Sequence, residues 1–229
     1  MLLTSADHDR IKAAIETAEA STSGEVCGVL AHECSQYWET PLAWAAASSL
    51  IAAPAAVLLG LRPEQLLTHA TDAWSASLPG GPSPLDVIAA YAALQAVLFV
   101  LVALIISIPP VRRLLTPRSL KRERVHHRAR ELFAARGLHL GDVDAGVLIF
   151  ASMSERMAEV IADPRIAAKV APEAWDDVVA ALIAGMKARD PGAGFAAAIQ
   201  KAGAHLAEHF PRQPDDVNTL PDTVIELDC

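Results

Sequence analysis

Two long apolar stretches without a single charged residue constrain what this 229-residue chain can fold into. Residues 42–61 and 87–108 contain no Asp, Glu, Lys or Arg. As α-helices, both would reach roughly 30 Å, the thickness of the hydrocarbon core of a bilayer. Pro54 is compatible with such a helix, because neighbouring groups can satisfy the carbonyl that it leaves free. We therefore predict a two-helix transmembrane hairpin within residues 36–116. The alternative is a buried hairpin in a soluble protein, in which shorter apolar runs would be expected.

Basic residues flank the second apolar stretch and predict the orientation of the hairpin. The formal net charge is −8, yet eight of the 19 Lys and Arg residues fall within residues 109–130. The loop at residues 62–86 contains only one, Arg62. Because Lys and Arg concentrate on the cytoplasmic side of a membrane, we expect this flank and both termini to be cytoplasmic. The eight basic residues are Arg112, Arg113, Arg118, Lys121, Arg122, Arg124, Arg128 and Arg130.

The segments on either side of the hairpin, residues 1–35 and 117–229, are predicted to form one soluble domain. Two spans return the chain to the side from which it started, so the two segments can pack together. Their apolar residues recur at helical spacing in some places and alternate or run continuously in others. The predicted fold class is α/β, a central-sheet sandwich with helices on both faces, interrupted by the hairpin. The predicted elements are helices at 7–19, 118–136, 175–186 and 195–210, strands at 25–34, 145–152 and 156–162, and an acidic tail.

The helix predicted over residues 118–136 is strongly basic and raises the question of a partner. Nucleic acid and anionic lipid headgroups both attract such a helix. A basic helix that directly follows an apolar span is typical of a surface drawn to headgroups, and the rest of the chain is acidic. We therefore expect the lipid bilayer as a partner, and no nucleic acid.

Residues 205–209 (HLAEH) match the pattern H-x-x-E-H. In that pattern two histidines share a helix face and bind zinc beside a glutamate base. A catalytic zinc site needs a third protein ligand, and only acidic residues outside any predicted helix follow. Lys201, Glu208 and Arg212 lie on the same polar side, so we favour a solvated helix face over a zinc protease.

The cysteines Cys27, Cys34 and Cys229 are an odd number in a part predicted to be cytoplasmic, so we expect reduced thiols. In a strand, Cys27 and Cys34 would lie roughly 23 Å apart and on opposite faces, too far for a disulfide. Cys27 is most simply a core residue.

Carboxylates at the ends of the predicted strands are the most promising ligands. Glu25 begins the first strand, Asp142 and Asp144 precede the second, and Asp163 follows the third. Open α/β sheets bind ligands at strand ends, and oxygen ligands suit calcium or magnesium. Ordinary helix caps and turns are the alternative. The candidate metal ligands are Asp163, Asp144 and Glu25, and calcium or another divalent cation is the one cofactor that they suggest.

Five short strings, taken together, resemble the TPM domain family, named for thylakoid-lumen, photosystem-repair and receptor-modulator proteins. They extend over nearly the whole chain, and no single string would suffice. The resemblance is to a bacterial membrane-protein branch, in which a helix pair follows the first strand. The strings are ASTSGE at 20–25, GVLIFASMSER at 146–156, EVIAD at 159–163, HFPR at 209–212 and LPD at 220–222.

This resemblance implies an α/β sandwich in the bacterial inner membrane. By position, Glu155 and Arg156 match the family's strand motif, together with Asp163. Asp216, Asn218 and Asp222 match its acidic tail. Relatives are described as weak acid phosphatases, as binders of divalent cations, or as supporting the assembly or turnover of membrane complexes.

Two functions follow from the resemblance as expectations. The first is an interaction or assembly module that docks on a membrane protein complex, with a divalent cation at Asp163 and neighbouring carboxylates. The second is a weak metal-assisted phosphatase, in which carboxylates hold the metal and Arg156 stabilises charge in the transition state. The sequence contains no evident nucleophile for the second.

Overall fold

A computed structural model of the chain describes residues 3–60, 84–136, 146–214 and 222–227. The chain forms two compact units. The α/β unit comprises Met1–Gln36 and Arg118–Cys229, and the helical unit comprises Tyr37–Pro117. Each is described by itself.

The described part of the α/β unit contains five helices and four strands. Their order along the chain is close to the predicted one. Helices α1, α5, α7 and α8 and strands β1, β2 and β3 match the predicted elements to within a few residues. The helices are α1 (Ser5–Glu19), α5 (Arg118–Ala135), α6 (Pro164–Ala167), α7 (Ala174–Lys187) and α8 (Pro191–His209), and the strands are β1 (Glu25–Ala31), β2 (Gly146–Ser152), β3 (Met157–Ala162) and β4 (Ile225–Leu227).

The four strands form one mixed sheet in the order β3-β2-β1-β4. Strand β1 pairs in parallel with both β2 and β4, and β2 pairs antiparallel with β3. In this register Glu25 lies opposite Gly146, and Val147 lies opposite Ala162. Glu25, Gly146 and the end of β3 therefore share one edge of the sheet, which we name the amino edge because β1 and β2 begin there.

Helices cover both faces of the sheet, as predicted. Alternate residues of the central strands point to opposite faces, because side chains in a strand alternate with period two. Val26 and Leu30 pack in one cluster with α1, α7 and α8, and Cys27 and Val29 pack in another with α5. The central strands β1 and β2 are buried along their whole length, which explains their continuous apolar sequences.

Capping residues set where the helices begin. Thr4 caps α1 through a reciprocal capping box with Asp7. Asp190 accepts a hydrogen bond from the Ala193 amide at 2.9 Å, and Pro191 occupies the first turn of α8. Helix α8 thus begins at Pro191, four residues before Phe195, where its apolar stripe starts.

The prediction of an acidic tail after α8 is wrong at its end, where the chain forms strand β4. Val224 is buried, and residues 225–227 add a parallel strand to β1. Glu226 ties this strand to the first helix through His8, with 2.8 Å between Oε1 and Nε2. Because only three residues pair with β1, the sequence contains no alternation of apolar and polar residues long enough to predict this strand.

The helical unit contains α2 (Glu39–Leu58), α3 (Pro84–Ser107) and α4 (Pro109–Leu115). Helices α2 and α3 pack against each other. The amide of Gln95, the one strongly polar group of the second apolar stretch, donates to the Ser49 carbonyl at 3.5 Å. The indole of Trp44 donates to the Leu115 carbonyl at 3.2 Å.

Over the described residues, none of these helices is by itself long and apolar enough to cross a membrane. The helix pair Tyr91–Ser107 and Pro109–Leu115 meets that criterion only together, and it bends by 97° at the break. The predicted external loop lies mostly outside the described residues.

Candidate functional site

The residues that match the family's strand motif lie in the tight turn between β2 and β3. Glu155 is buried there; its side chain accepts a hydrogen bond from the Ser152 hydroxyl and another, at 3.2 Å, from the Cys34 amide. Glu155 therefore fixes the turn to the chain that leaves β1. Arg156 follows in the left-handed region (φ 55°), which is uncommon for a residue with a side chain.

Asp163 lies at the amino edge of the sheet, directly after β3. Its amide donates to the Gly146 carbonyl at 3.0 Å, and its carboxylate caps the short helix α6. That carboxylate is 2 % exposed and accepts from Arg165 through the amide at 2.8 Å and Nε at 3.0 Å. Asp163 is thus fully explained as a helix cap held by a neighbouring guanidinium.

Of the three predicted metal ligands, two lie in the described part of the chain. Glu25 and Asp163 share the amino edge, and Asp144 lies outside the described residues. Across residues 3–60, 84–136, 146–214 and 222–227, no three His, Cys, Asp or Glu side chains are placed to hold one metal ion. The amino edge is also the opposite end of the parallel strands from the carboxyl ends at which such sheets usually bind ligands.

The two groups that the phosphatase prediction requires lie at opposite edges of the sheet. Arg156 precedes β3 and Asp163 follows it, with the six residues Met157–Ala162 between them. At about 3.3 Å per residue, the seven steps from Arg156 to Asp163 separate the two positions by roughly 23 Å. Asp163 and Arg156 therefore do not act on one phosphate group in this arrangement.

Two strings of the resemblance, ASTSGE and HFPR, instead meet at a second place, the connection between α1 and β1. The Thr22 hydroxyl donates to the Phe210 carbonyl at 2.6 Å and accepts from the Gly24 amide at 3.0 Å. The Ser23 amide also donates to Phe210, and the Arg212 amide donates to the Ser21 carbonyl at 3.3 Å. The end of α8 is thereby bonded to the turn that begins β1.

This connection encloses what we name the acidic cavity, of about 160 Å³. Glu19 at the end of α1 and Glu25 at the start of β1 line it with Asp222, and Arg212 contributes a positive charge. Glu16 also lines the cavity, from the exposed side of α1. The cavity therefore gathers four carboxylates around one guanidinium.

Burial changes the protonation of Glu19. The pKa of Glu19 is raised to about 8, mainly by burial and in smaller part by the charges of Glu25 and Asp222 and a hydrogen bond with Asp222, while the hydrogen bond from the Val26 amide opposes the rise. That amide donates to Glu19 Oε1 at 3.2 Å. A carboxyl that keeps its proton near neutral pH can donate a hydrogen bond to a second carboxylate.

Sequence reasoning found only part of this cavity. Glu25 was predicted as a metal ligand and Asp222 as a motif residue, and the structure brings these two together. Glu19 was missed; the available signal was two glutamates that flank a short turn of small polar residues, ASTSG. Asp216 and Asn218 lie outside the described residues.

His205 of the HLAEH string takes part in packing between helices, and no described group of His, Cys, Asp or Glu that could hold a metal includes it. His205 Nε2 lies 3.1 Å from Asp177 Oδ1, and the ring meets Trp175 edge-on at 6.1 Å. The hydrogen bonds from His205 and Lys201 lower the pKa of Asp177. The interpretation as a polar helix face is therefore the one that the geometry fits.

The described cysteines, Cys27 and Cys34, are both reduced. Cys27 is buried beneath α5, and burial raises the pKa of its thiol. It is a core residue, as predicted. Cys229 lies outside the described residues.

Comparison with a solved structure agrees with the fold. The chain is similar over its full α/β architecture to an NMR structure of the BA42 protein from the psychrophilic bacterium Bizionia argentinensis, with 18 % sequence identity and a TM-score of 0.54. The match covers 98 % of this chain and 94 % of that one, and at this identity it shows the fold alone. No curated protein matches the chain.

The sheet and its covering helices thus define a mixed α/β domain of a known fold. Within it, residues 112–205 match the family model described as the TPM domain. The model covers less than half of the chain, and over that stretch the chain is similar to a TPM domain. The matched stretch begins in α4, includes the strand motif at Glu155 and Arg156, and ends in α8.

Proposed function

We propose that this protein is a membrane-anchored TPM domain that serves as an interaction or assembly module for membrane protein complexes. In this proposal the helical unit inserts in the bilayer, and the α/β unit binds the partner complex. The observation that carries the anchoring is the apolar surface of α2 and α3, on which twelve large apolar side chains are exposed. They are Leu42, Trp44, Leu50, Ile51 and Leu58 in α2, and Leu85, Ile88, Val97, Val100, Leu101, Leu104 and Ile105 in α3.

Such a surface is unfavourable in water. Each exposed apolar side chain of this size forgoes about 1.5–3 kcal/mol of burial free energy. Soluble monomers rarely expose large contiguous apolar patches, and those that do use them as binding sites. A hydrocarbon environment solvates this surface on all sides of the helix pair, whereas a protein partner covers one side. The described residues of α3 from Val87 onward also contain no charge.

Adding two charges to the exposed face of α3 is expected to release the protein from membranes. Leu101 and Leu104 are 52 % and 63 % exposed, so Leu101→Lys with Leu104→Lys should not disturb the packing of α2 against α3. A lysine costs about 3 kcal/mol at the centre of a membrane helix and less towards its end, which is why two lysines are introduced together. Full-length protein is expressed in bacteria, and the bacterial membranes are extracted with alkaline carbonate and sedimented. Wild-type protein should remain in the membrane pellet, and the variant should appear in the supernatant.

The matched control is Leu101→Ala with Leu104→Ala, which removes the same side chains without adding charge and should stay in the pellet. Wild-type protein that carbonate extracts, or a lysine variant that stays behind, would remove the anchor from the proposal. In the same cells, sealed spheroplasts treated with external protease should keep a tag placed after Cys229. That result is expected because the basic residues favour a cytoplasmic α/β unit at the bacterial inner membrane.

A second function is favoured by the acidic cavity, namely binding of a divalent cation such as calcium. Glu19, Glu25 and Asp222 line one small space, and a cation would relieve the repulsion that helps hold a proton on Glu19. Binding would have to displace that proton and draw the carboxylates together. We place this site at the acidic cavity rather than at Asp163, whose carboxylate is engaged by Arg165.

Calorimetric titration of calcium, magnesium and zinc into the full-length protein tests this site. Asp222→Asn is expected to weaken saturable binding at least tenfold, whereas Asp163→Asn should leave it unchanged. Repeating the titration in two buffers of different ionisation enthalpy should show release of a proton at pH 7, because Glu19 with a pKa of about 8 is mostly protonated there. Absence of binding, or binding lost in Asp163→Asn alone, would contradict a cation site in the acidic cavity.

A further inference from the structure

Strand β3 (Met157–Ala162) forms one edge of the sheet, and its outer side is open. The sheet order β3-β2-β1-β4 gives it one neighbour, β2. All six of its residues are half-buried, whereas the central strands β1 and β2 are buried throughout. Within the described part of the chain, β3 therefore has one side that is paired and one side that is not.

The register shows which backbone groups of β3 face outwards. The Asp163 amide donates to the Gly146 carbonyl at 3.0 Å, and these two residues continue the antiparallel register of β2 and β3. Hydrogen-bonded and non-hydrogen-bonded pairs alternate along such a ladder, so the N–H and C=O groups of Ala158, Val160 and Ala162 point away from β2. The structure gives these groups no hydrogen bond within the described residues. They are available to a further strand.

Few features protect this edge. Natural edge strands avoid joining other strands by carrying lysine, proline, a bulge or an inward-pointing charge. Strand β3 (MAEVIA) contains no lysine or proline, and its register with β2 is unbroken. Its one charged side chain, Glu159, contacts His126 of α5. Open edges of this kind bind extended peptides by β-augmentation, the addition of a strand to a sheet.

Two helices flank the open edge and enclose a groove of about 360 Å³ beside it. Arg122 and His126 of α5 line one side, and Ile183 of α7 lines the other. Side chains alternate along β3 between these two sides, since Ile161 packs in the cluster with α5 and Val160 packs in the cluster with α7. A strand added to this edge would likewise direct every second side chain towards α5 and the others towards α7.

The α5 side of the groove is basic. Arg118 and Arg130 lie four residues before Arg122 and four residues after His126, so they share that side of the helix. All three arginines are exposed, and the structure gives none of them a hydrogen bond or an ion pair within the described residues. Among the described residues that line the groove, Glu159 is the one carboxylate, and it is engaged by His126. Acidic side chains directed towards α5 are therefore favoured, except directly opposite Glu159.

A second copy of the chain fits this edge less well. Pairing β3 with β3 of a second copy, about a two-fold axis perpendicular to the sheet, would place the two α5 helices side by side on one face. Their arginines would then approach each other, and like charges across an interface oppose binding. The charge of α5 therefore favours an acidic partner.

We infer that the open edge of β3 binds an extended segment of a partner protein, in which acidic side chains face α5 and small apolar side chains face α7. This inference rests on the interaction role proposed above and says where the α/β unit contacts its partner. The segment has the pattern acidic, apolar, neutral, apolar, acidic, with the neutral residue opposite Glu159. The pattern reads the same in both directions, so parallel and antiparallel addition both satisfy it.

The test titrates the full-length protein in dodecyl maltoside into a fluorescein-labelled peptide, SGEVTVEGS, and measures fluorescence anisotropy. Saturable binding is expected. The peptide SGKVTVKGS should bind at least about tenfold more weakly, because its lysines face the arginines of α5. The peptide SGEVEVEGS places a third acid opposite Glu159 and should bind about threefold more weakly than SGEVTVEGS. Glu159→Gln should remove that difference.

Val160→Pro tests the backbone of the edge. It removes one outward N–H and keeps the bonds to β2, because proline is tolerated in an edge strand where its N–H would face outwards. With the fold verified by circular dichroism, it should weaken binding of SGEVTVEGS at least about tenfold, since a strand can no longer pair with β3 there. Val160→Thr keeps the N–H and the shape of the side chain, and should bind within about twofold of wild type.

Arg122→Glu tests the charge of the groove without altering β3. It should weaken binding of SGEVTVEGS about tenfold and strengthen binding of SGKVTVKGS. Arg124→Glu is the matched control, because it makes the same change of charge on the opposite, exposed side of α5. It should change binding by less than about twofold.

Equal binding of the acidic and the basic peptide, or a folded Val160→Pro variant that binds as tightly as wild type, would overturn the inference. Self-association in sedimentation velocity that Val160→Pro abolishes would also overturn it and assign the edge to a second copy. Failure of the membrane anchor is distinguishable, because carbonate extraction detects it and the peptide titration in detergent does not depend on it. Absence of peptide binding in an anchored protein removes this surface and leaves the anchor in place.

Discussion

Replacing Glu19 by glutamine is expected to stabilise the protein by about 2 kcal/mol at pH 8.5 and by less than about 1 kcal/mol at pH 5.5. Glutamine keeps the oxygen that accepts the hydrogen bond from the Val26 amide. It removes the group that must carry a charge among Glu25 and Asp222 when the pH is high. Urea denaturation of the full-length protein at the two pH values measures the difference directly.

The sign of this effect follows from proton binding. The pKa of Glu19 is raised from 4.5 to about 8 in the folded protein, chiefly by burial. Between those values the folded state holds a proton that the unfolded state has lost, so the free energy of unfolding falls as the pH rises. The stabilisation is fully present below about 4.5 and is lost above about 8. The full shift corresponds to about 5 kcal/mol, and roughly half remains after allowance for solvent screening of a partly exposed group.

Glu16→Gln is the control for Glu19→Gln. Glu16 lies one turn earlier on α1, lines the same cavity and is exposed, and its one ion pair, with Lys12 at 3.7 Å, is a surface pair. Its substitution should change stability by less than about 0.5 kcal/mol at either pH. If the wild type and Glu19→Gln lose stability in parallel between pH 5.5 and pH 8.5, Glu19 does not carry the pH dependence.

The fold was predictable where the sequence pattern is long and periodic. The stripe of Val178, Leu182 and their neighbours places α7, and the continuous run GVLIFAS places β2 at the centre of the sheet. These segments are buried on one face or on both, so hydrophobicity alone identifies them. Strand β4 was not predicted, because its three residues are too few to show the alternation typical of a strand.

The candidate site was less predictable, because its residues are gathered by tertiary packing. Glu19 and Asp222 are distant in sequence and meet only because α8 ends against the turn after α1. Asp163 had the residue type and strand-end position of a ligand, yet its nearest positive group is Arg165, two residues on. Sequence position can place a carboxylate at an edge of a sheet, but it does not say which charges share its surroundings.

Gly185→Ala is expected to destabilise the protein by about 3 kcal/mol, against the usual preference of helices for alanine. In an exposed helix interior this substitution would add about 1 kcal/mol of stability. Here a Cβ on Gly185 would lie 2.2 Å from the Cα of Gly194 and 2.9 Å from the Asp190 carbonyl oxygen. Both are backbone atoms of the chain that leads into α8, so neither can rotate away. The helices would have to separate and open the packing around Leu182 and Phe195.

Two further variants separate this close contact from general effects of mutating α7 and α8. Gly194→Ala meets Gly185 and the Leu182 carbonyl at 3.0 Å rather than 2.2 Å, so its loss of stability should be smaller. Ala180→Ser adds one atom to the exposed side of α7 and should change the free energy of unfolding by less than about 0.7 kcal/mol. Urea denaturation of all three variants should therefore rank Gly185→Ala as the most destabilised, then Gly194→Ala, then Ala180→Ser. A Gly185→Ala variant as stable as wild type would mean that α7 and α8 do not approach so closely. The same close approach aligns the two helices and places Asp177 beside His205. That outcome would therefore also contradict the hydrogen bond between Asp177 and His205.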